Sequence, residues 1–130
     1  MFDAAKLAVP ADATYDLQIV DQRGQPTDIV ITVSSQDSDA ASNMRRKTFD
    51  RRIAAMQKRS GKTQVRAEEL ESEAMDLRCA CTVGWVGLAW GDDKSLACND
   101  ENKRMVYGKV KLIRDQVDEA ISDLSLFMPG

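Results

Sequence analysis

Two hydrophobic periods divide this chain, and the division limits what it can fold into. Over 15–33 apolar side chains alternate with polar ones: Tyr15-Asp16-Leu17-Gln18-Ile19-Val20 is followed, after Arg23-Gly24-Gln25-Pro26, by the β-branched run Asp28-Ile29-Val30-Ile31-Thr32-Val33. A period of two sends successive side chains to opposite faces of a strand, so two such runs around a Gly-Pro turn predict a β-hairpin over 15–34. Downstream the spacing changes to three and four. Ala67, Leu70, Ala74, Leu77 and Cys81 trace one amphipathic helix, and Val110, Ile113, Val117, Ile121 and Leu124 trace another.

The intervening segments are punctuated. Ser35, Asp37 and Ser38 are cap candidates for an earlier helix reaching residue 59, with a narrow stripe through Ala41, Met44, Phe49, Ile53 and Met56. Ser60-Gly61-Lys62-Thr63 reads as a turn between helices. It ends like a phosphate-binding loop but lacks that loop's upstream glycine and preceding strand. Gly84, Gly87 and Gly91 break the chain again, Asn99 or Asp100 caps a helix entering 101–107, and Gly108 marks a joint before the last helix. An isolated hairpin is marginal in water and needs a helix, or a strand from another copy, to cover it. The expected fold is therefore α+β and mostly α-helical: one domain over 1–130, with 1–14 a flexible lead, a hairpin over 15–34 and three or four helices over 35–130.

The residue inventory removes several functions. The 130 residues contain no histidine, the side chain most used for proton transfer near neutral pH and a common metal ligand. Serine, threonine and cysteine thus have no imidazole base, so the chain reads as a binding protein with no catalytic residues. Cys79, Cys81 and Cys98 fall one short of a four-ligand zinc site, and the Cys79/Cys81 spacing is not CxxC; neither metal nor cofactor is expected. An odd cysteine count and the lack of a signal-peptide pattern at Met1 point to a reducing cytosol. The most apolar stretch, 79–90, is about half a membrane span, so a soluble chain is expected.

Charge is blocked along the sequence. Arg45, Arg46, Lys47, Arg51, Arg52, Lys58, Arg59, Lys62 and Arg66 meet only Asp50 before Glu68, Glu69, Glu71, Glu73 and Asp76 reverse the sign. A small nucleic-acid-binding regulator using 45–66 is the alternative reading. Against it stand the net charge of −3, the single interleaved aromatic residue Phe49 and the adjacent acidic block.

The most specific segment is Gly84-Trp85-Val86-Gly87-Leu88 with Trp90, then Cys98-Asn99-Asp100-Glu101-Asn102, then Val106-Tyr107, then the helix Ile113-Arg114-Asp115-Gln116-Val117-Asp118-Glu119-Ala120-Ile121 leading to Phe127. In this order and spacing it resembles the tail assembly chaperone family of long-tailed, siphovirus-type bacteriophages. The hairpin over 15–33 and the Ser-rich entry into an Arg-rich helix over 34–59 extend that resemblance over most of the chain. Trp90 and Asp92-Asp93-Lys94 depart from it, standing where the family has a more glycine-rich turn.

The resemblance implies a protein of the host bacterial cytoplasm that acts in virion morphogenesis and is absent from the mature virion. It implies binding and solubilising the tape measure protein, and helping to recruit tail tube subunits through a frameshift-extended form. It also implies a homo-oligomer, with no membrane partner. Partner-binding candidates are Met44, Arg45, Arg52, Met56, Trp85, Trp90, Tyr107, Ile113 and Arg114, the methionines because flexible thioethers adapt to varied apolar surfaces.

Overall fold

The computed structural model describes residues 1–58 and 66–129. Strands β1 (Thr14–Val20) and β2 (Pro26–Ser34) form the expected hairpin, and helices α1 (Asp39–Lys58) and α2 (Ala67–Ala80) follow. The chain then makes a third strand, β3 (Thr82–Val86), before α3 (Asp100–Lys109) and α4 (Lys111–Ser122), with 3-10 turns at Ala4–Leu7 and Leu124–Phe127. The fold is α+β with four α-helices among the described residues. One part of the expectation needs correction: 35–130 is not wholly helical. The turn Ser60-Gly61-Lys62-Thr63 lies outside the described residues, as do Arg59 and Lys62.

The sheet is antiparallel in the order β1-β2-β3. Tyr15 faces Val33 and Leu17 faces Ile31 across β1 and β2, and Trp85 of β3 faces Ile31 on the other side. Because side chains alternate, this register gathers Tyr15, Leu17, Ile31, Val33 and Trp85 on one face. Helix α4 packs on β1 and β2 and closes that face, inserting Ile113, Val117, Ala120 and Ile121. Its stripe is the one legible in the sequence. The core also takes Val106 and Tyr107 from α3 and Phe127 from the terminal turn, whose ring meets Tyr15 edge-on at 6.4 Å.

Local chemistry sets the joints. Ser38 Oγ accepts from Ala41 N at the start of α1, and Asn99 Oδ1 accepts from Asn102 N at the start of α3. The joint between α3 and α4 falls at Val110, two residues after Gly108. Gly87, at φ +72°, sits so close to β2 that a Cβ there would lie 2.0 Å from the Asp28 carbonyl oxygen, so only glycine fits. The Gln116 side chain closes one end of the β1 edge: its Oε1 accepts from Val20 N at 3.0 Å and its Nε2 donates to Val20 O at 2.9 Å.

Helices α1 and α2 form a helical hairpin between the adjacent strands β2 and β3. Its base is sealed where Ser34 N donates to Cys81 O at 2.7 Å and Gln36 N donates to Ile121 O at 3.0 Å.

Candidate functional site

The helical hairpin carries apolar side chains that its own fold leaves uncovered. Helix α1 runs for 20 residues and buries one of them, Ala41. Phe49 is 61% exposed and Ile53 40%, and on α2 Leu70 is 52% exposed. The α2 stripe is thus split: Leu70 and Ala74 lie exposed, while Leu77 packs against the core and Cys81 enters it. Residues 70, 74 and 77 share one helix face, as do 49, 53 and 56. The two faces adjoin, because Phe49, Met44, Ala74 and Leu77 line one recess of about 360 Å³ between α1 and α2. Arg45, Arg52 and Glu73 rim it, and Arg52 bridges the helices: its Nε and Nη2 donate to the Glu73 carboxylate at 2.8 and 2.6 Å. Solvent screens an exposed pair of this kind and leaves it little net strength. It aligns the helices more than it stabilises them.

On the opposite side the hairpin is tied to the body by buried charge. Asp76, 6% exposed, accepts from Arg51 Nη2 of α1 and Arg104 Nη2 of α3, both at 2.8 Å, and Arg104 Nε also donates to Asp100. Burial alone would disfavour the Asp76 carboxylate, but the hydrogen bonds from Arg51 and Arg104 outweigh it and hold its pKa below the ordinary carboxylate value. Two residues on, Arg78 is 8% exposed, grips Asp118 of α4 through two bonds of 2.6 and 2.8 Å, and lies over the Tyr107 ring. The part of α2 that meets the body thus mixes two charged anchors, Asp76 and Arg78, with Cys79, Met75 and Leu77, and leaves Leu70 and Ala74 exposed.

The sequence-derived candidates divide into two groups. Met44, Arg45 and Arg52 surround the recess, with Met56 half-buried farther along α1; Arg45 is held at the base by a hydrogen bond from Nη1 to Gln36 O. The remaining candidates belong to the body. Trp85 is half-buried on β3 and its indole nitrogen donates to Leu96 O at 2.8 Å. Trp90 sits in a tight turn, paired through its backbone with Asp93. Tyr107 is fully buried with its hydroxyl 2.6 Å from Thr82 Oγ1, and Ile113 is 7% exposed. As surface candidates both are corrected: they hold the core. Arg114 is half-buried beside Asp115 at 3.5 Å, away from the recess. Sequence reasoning names Met44 and Met56 of the α1 stripe as partner-binding candidates but not Phe49, Ile53, Leu70, Ala74 or Leu77, because periodicity alone does not show which two stripes adjoin.

Other chemistry is sparse. Among the described residues no three His, Cys, Asp or Glu side chains are grouped to hold a metal ion. The three cysteines are unpaired, and burial pushes each thiol pKa up, away from a reactive thiolate. No described helix is long and apolar enough to cross a membrane. No protein-family model, curated protein or solved structure matches the chain. The basic segment is only partly available to a polyanion: Arg51 and Arg52 are engaged by Asp76 and Glu73, while Arg46, Lys47 and Lys58 make no ion pair with another described residue.

Proposed function

We propose that this chain is a tail assembly chaperone of a long-tailed bacteriophage, a binding protein with no catalytic role. It keeps the tape measure protein soluble in the host cytoplasm until tail tube subunits, recruited through an extended form of the chaperone, polymerise along it. The observation that carries the reading is the uncovered apolar face of the helical hairpin: Phe49, Ile53, Leu70 and Ala74 stand exposed on two packed helices, with the half-buried Leu77 at the inner end of the recess between them. A long helical client with apolar stripes aggregates unless those stripes are covered, and a shallow apolar channel flanked by charges suits a helix laid along it. Many weak contacts by successive copies add up along one client. The order of the Trp-Gly turn, the Glu-Asn entry and the Ile-Arg helix supports the same family.

Co-expression tests it. The tape measure protein of the same phage remains in the soluble fraction and co-purifies with the unaltered chain, and Phe49→Asp with Leu70→Asp returns it to the pellet while circular dichroism of the variant is unchanged. A tape measure protein that stays insoluble beside the unaltered chain sinks the proposal.

A further inference from the structure

We infer that the apolar face of the α1–α2 hairpin is covered, when no client is bound, by the same face of a second copy of this chain, with α1 of each copy lying on α2 of the other. This pairing uses the face described above but not the identity of the client.

Charge selects the occupant and its orientation. With Arg51, Asp76 and Arg78 set aside because they tie the hairpin to the body, α1 keeps five cations against two acids, and α2 keeps four acids and no cation. Two copies can meet face to face about a two-fold axis in two ways. An axis perpendicular to the helices sets α1 on the partner's α1, bringing two strongly basic helices together and two acidic ones beside them. An axis parallel to the helices sets α1 on the partner's α2, and each basic helix then meets an acidic one. The second arrangement also serves the ion pair that bridges the two helices at the rim of the recess. Arg52 and Glu73 stand level across the hairpin, so the axis places Arg52 over the partner's Glu73 and Glu73 over the partner's Arg52, while Phe49 reaches the partner's Ala74 and Leu77.

The area decides how strong the pairing is. At 1.5 Å per residue the 14 residues of α2 extend about 21 Å, and two helices abreast are about 20 Å wide, giving a footprint of roughly 400 Å² per copy. Two such footprints total about 800 Å², below the 1,200–2,000 Å² of stable specific interfaces. The dimer is therefore in the class of weak, transient interfaces, and a longer client, which covers more of the face, displaces the second copy.

The test is sedimentation velocity on the purified full chain over a range of about 5 to 500 µM, followed by disulfide trapping. Expected is a concentration-dependent monomer–dimer equilibrium that Arg52→Glu or Glu73→Arg alone weakens and the double exchange restores, with melting temperatures recorded to exclude unfolding. For trapping, Phe49→Cys chains are mixed with Ala74→Cys chains, each also carrying Cys98→Ser. The mixed disulfide, joining position 49 of one copy to position 74 of the other, should form several-fold faster than the symmetric disulfide between the two positions 49. A monomer at every concentration, or a predominance of the symmetric product, overturns the inference. Neither result bears on client solubility, which co-expression reads separately.

Discussion

Replacing Asp76 by asparagine tests whether buried charge fixes the hairpin to the body. The carboxylate is 6% exposed and each oxygen accepts one arginine hydrogen bond of 2.8 Å. Asparagine keeps one acceptor and turns an NH₂ group toward the other guanidinium. Breaking a buried pair costs about 3–5 kcal/mol when the abandoned charge stays buried. Here the side chains of Arg51 and Arg104 are 60% and 40% exposed and regain water, so about 2–3 kcal/mol is the reasoned loss. For 130 residues at about 2.1 cal/mol/K each, that lowers the melting temperature by roughly 7–11 °C.

The pH dependence gives a sharper readout. The folded pKa of Asp76 is lowered, so its contribution is fully present above the unfolded value of about 4 and disappears as pH falls through the lower folded value. Urea titrations of the native chain and Asp76→Asn should differ by about 2–3 kcal/mol at pH 7 and converge in strong acid. A difference under about 1 kcal/mol at pH 7, or one that does not change with pH, refutes the reasoning.

Gly87→Ala forces a left-handed backbone on alanine and drives Cβ into the Asp28 carbonyl, so chemical denaturation should register a loss of at least about 2 kcal/mol. Gln116→Leu removes both bonds to Val20 and leaves a part-buried strand end unpaired; about 1–2 kcal/mol should be lost, with faster amide exchange at Val20. Phe49→Ser alters an outward side chain, so thermal stability should stay within about 0.5 kcal/mol while solubilisation of a co-expressed client falls.

Where the sequence could be read correctly, local pattern and tertiary burial agree. The alternation over 15–33 encodes the β1/β2 register, and the 3–4 spacing through Ile113, Val117 and Ile121 marks the face of α4 that enters the core. Strand β3 escaped because it is five residues long, contains Gly84 and follows α2 after one residue; its pairing with β2 bridges a long sequence separation that no local pattern records. The site escaped for a different reason. An apolar stripe normally means a core face, but α2 meets the body through Asp76 and Arg78, whose partners Arg104 and Asp118 lie on later helices. With those charges and Cys79 on the inward side, Leu70 and Ala74 are left exposed, and Leu77 reaches the core only in part. Tyr107 and Ile113 were selected for the motif they belong to, and that motif builds the core.

The insertion of a helical arm between two neighbouring strands separates reach from stability. Its entry and exit are joined by the Ser34–Cys81 hydrogen bond, and α1 contributes a single buried side chain. Turns can therefore be added to or removed from the arm in matched pairs, and its outer residues can drift, without disturbing the sheet or the α4 core. Such a chain can be refitted to a different binding partner by changing the arm's length and the side chains along it, while the body folds as before.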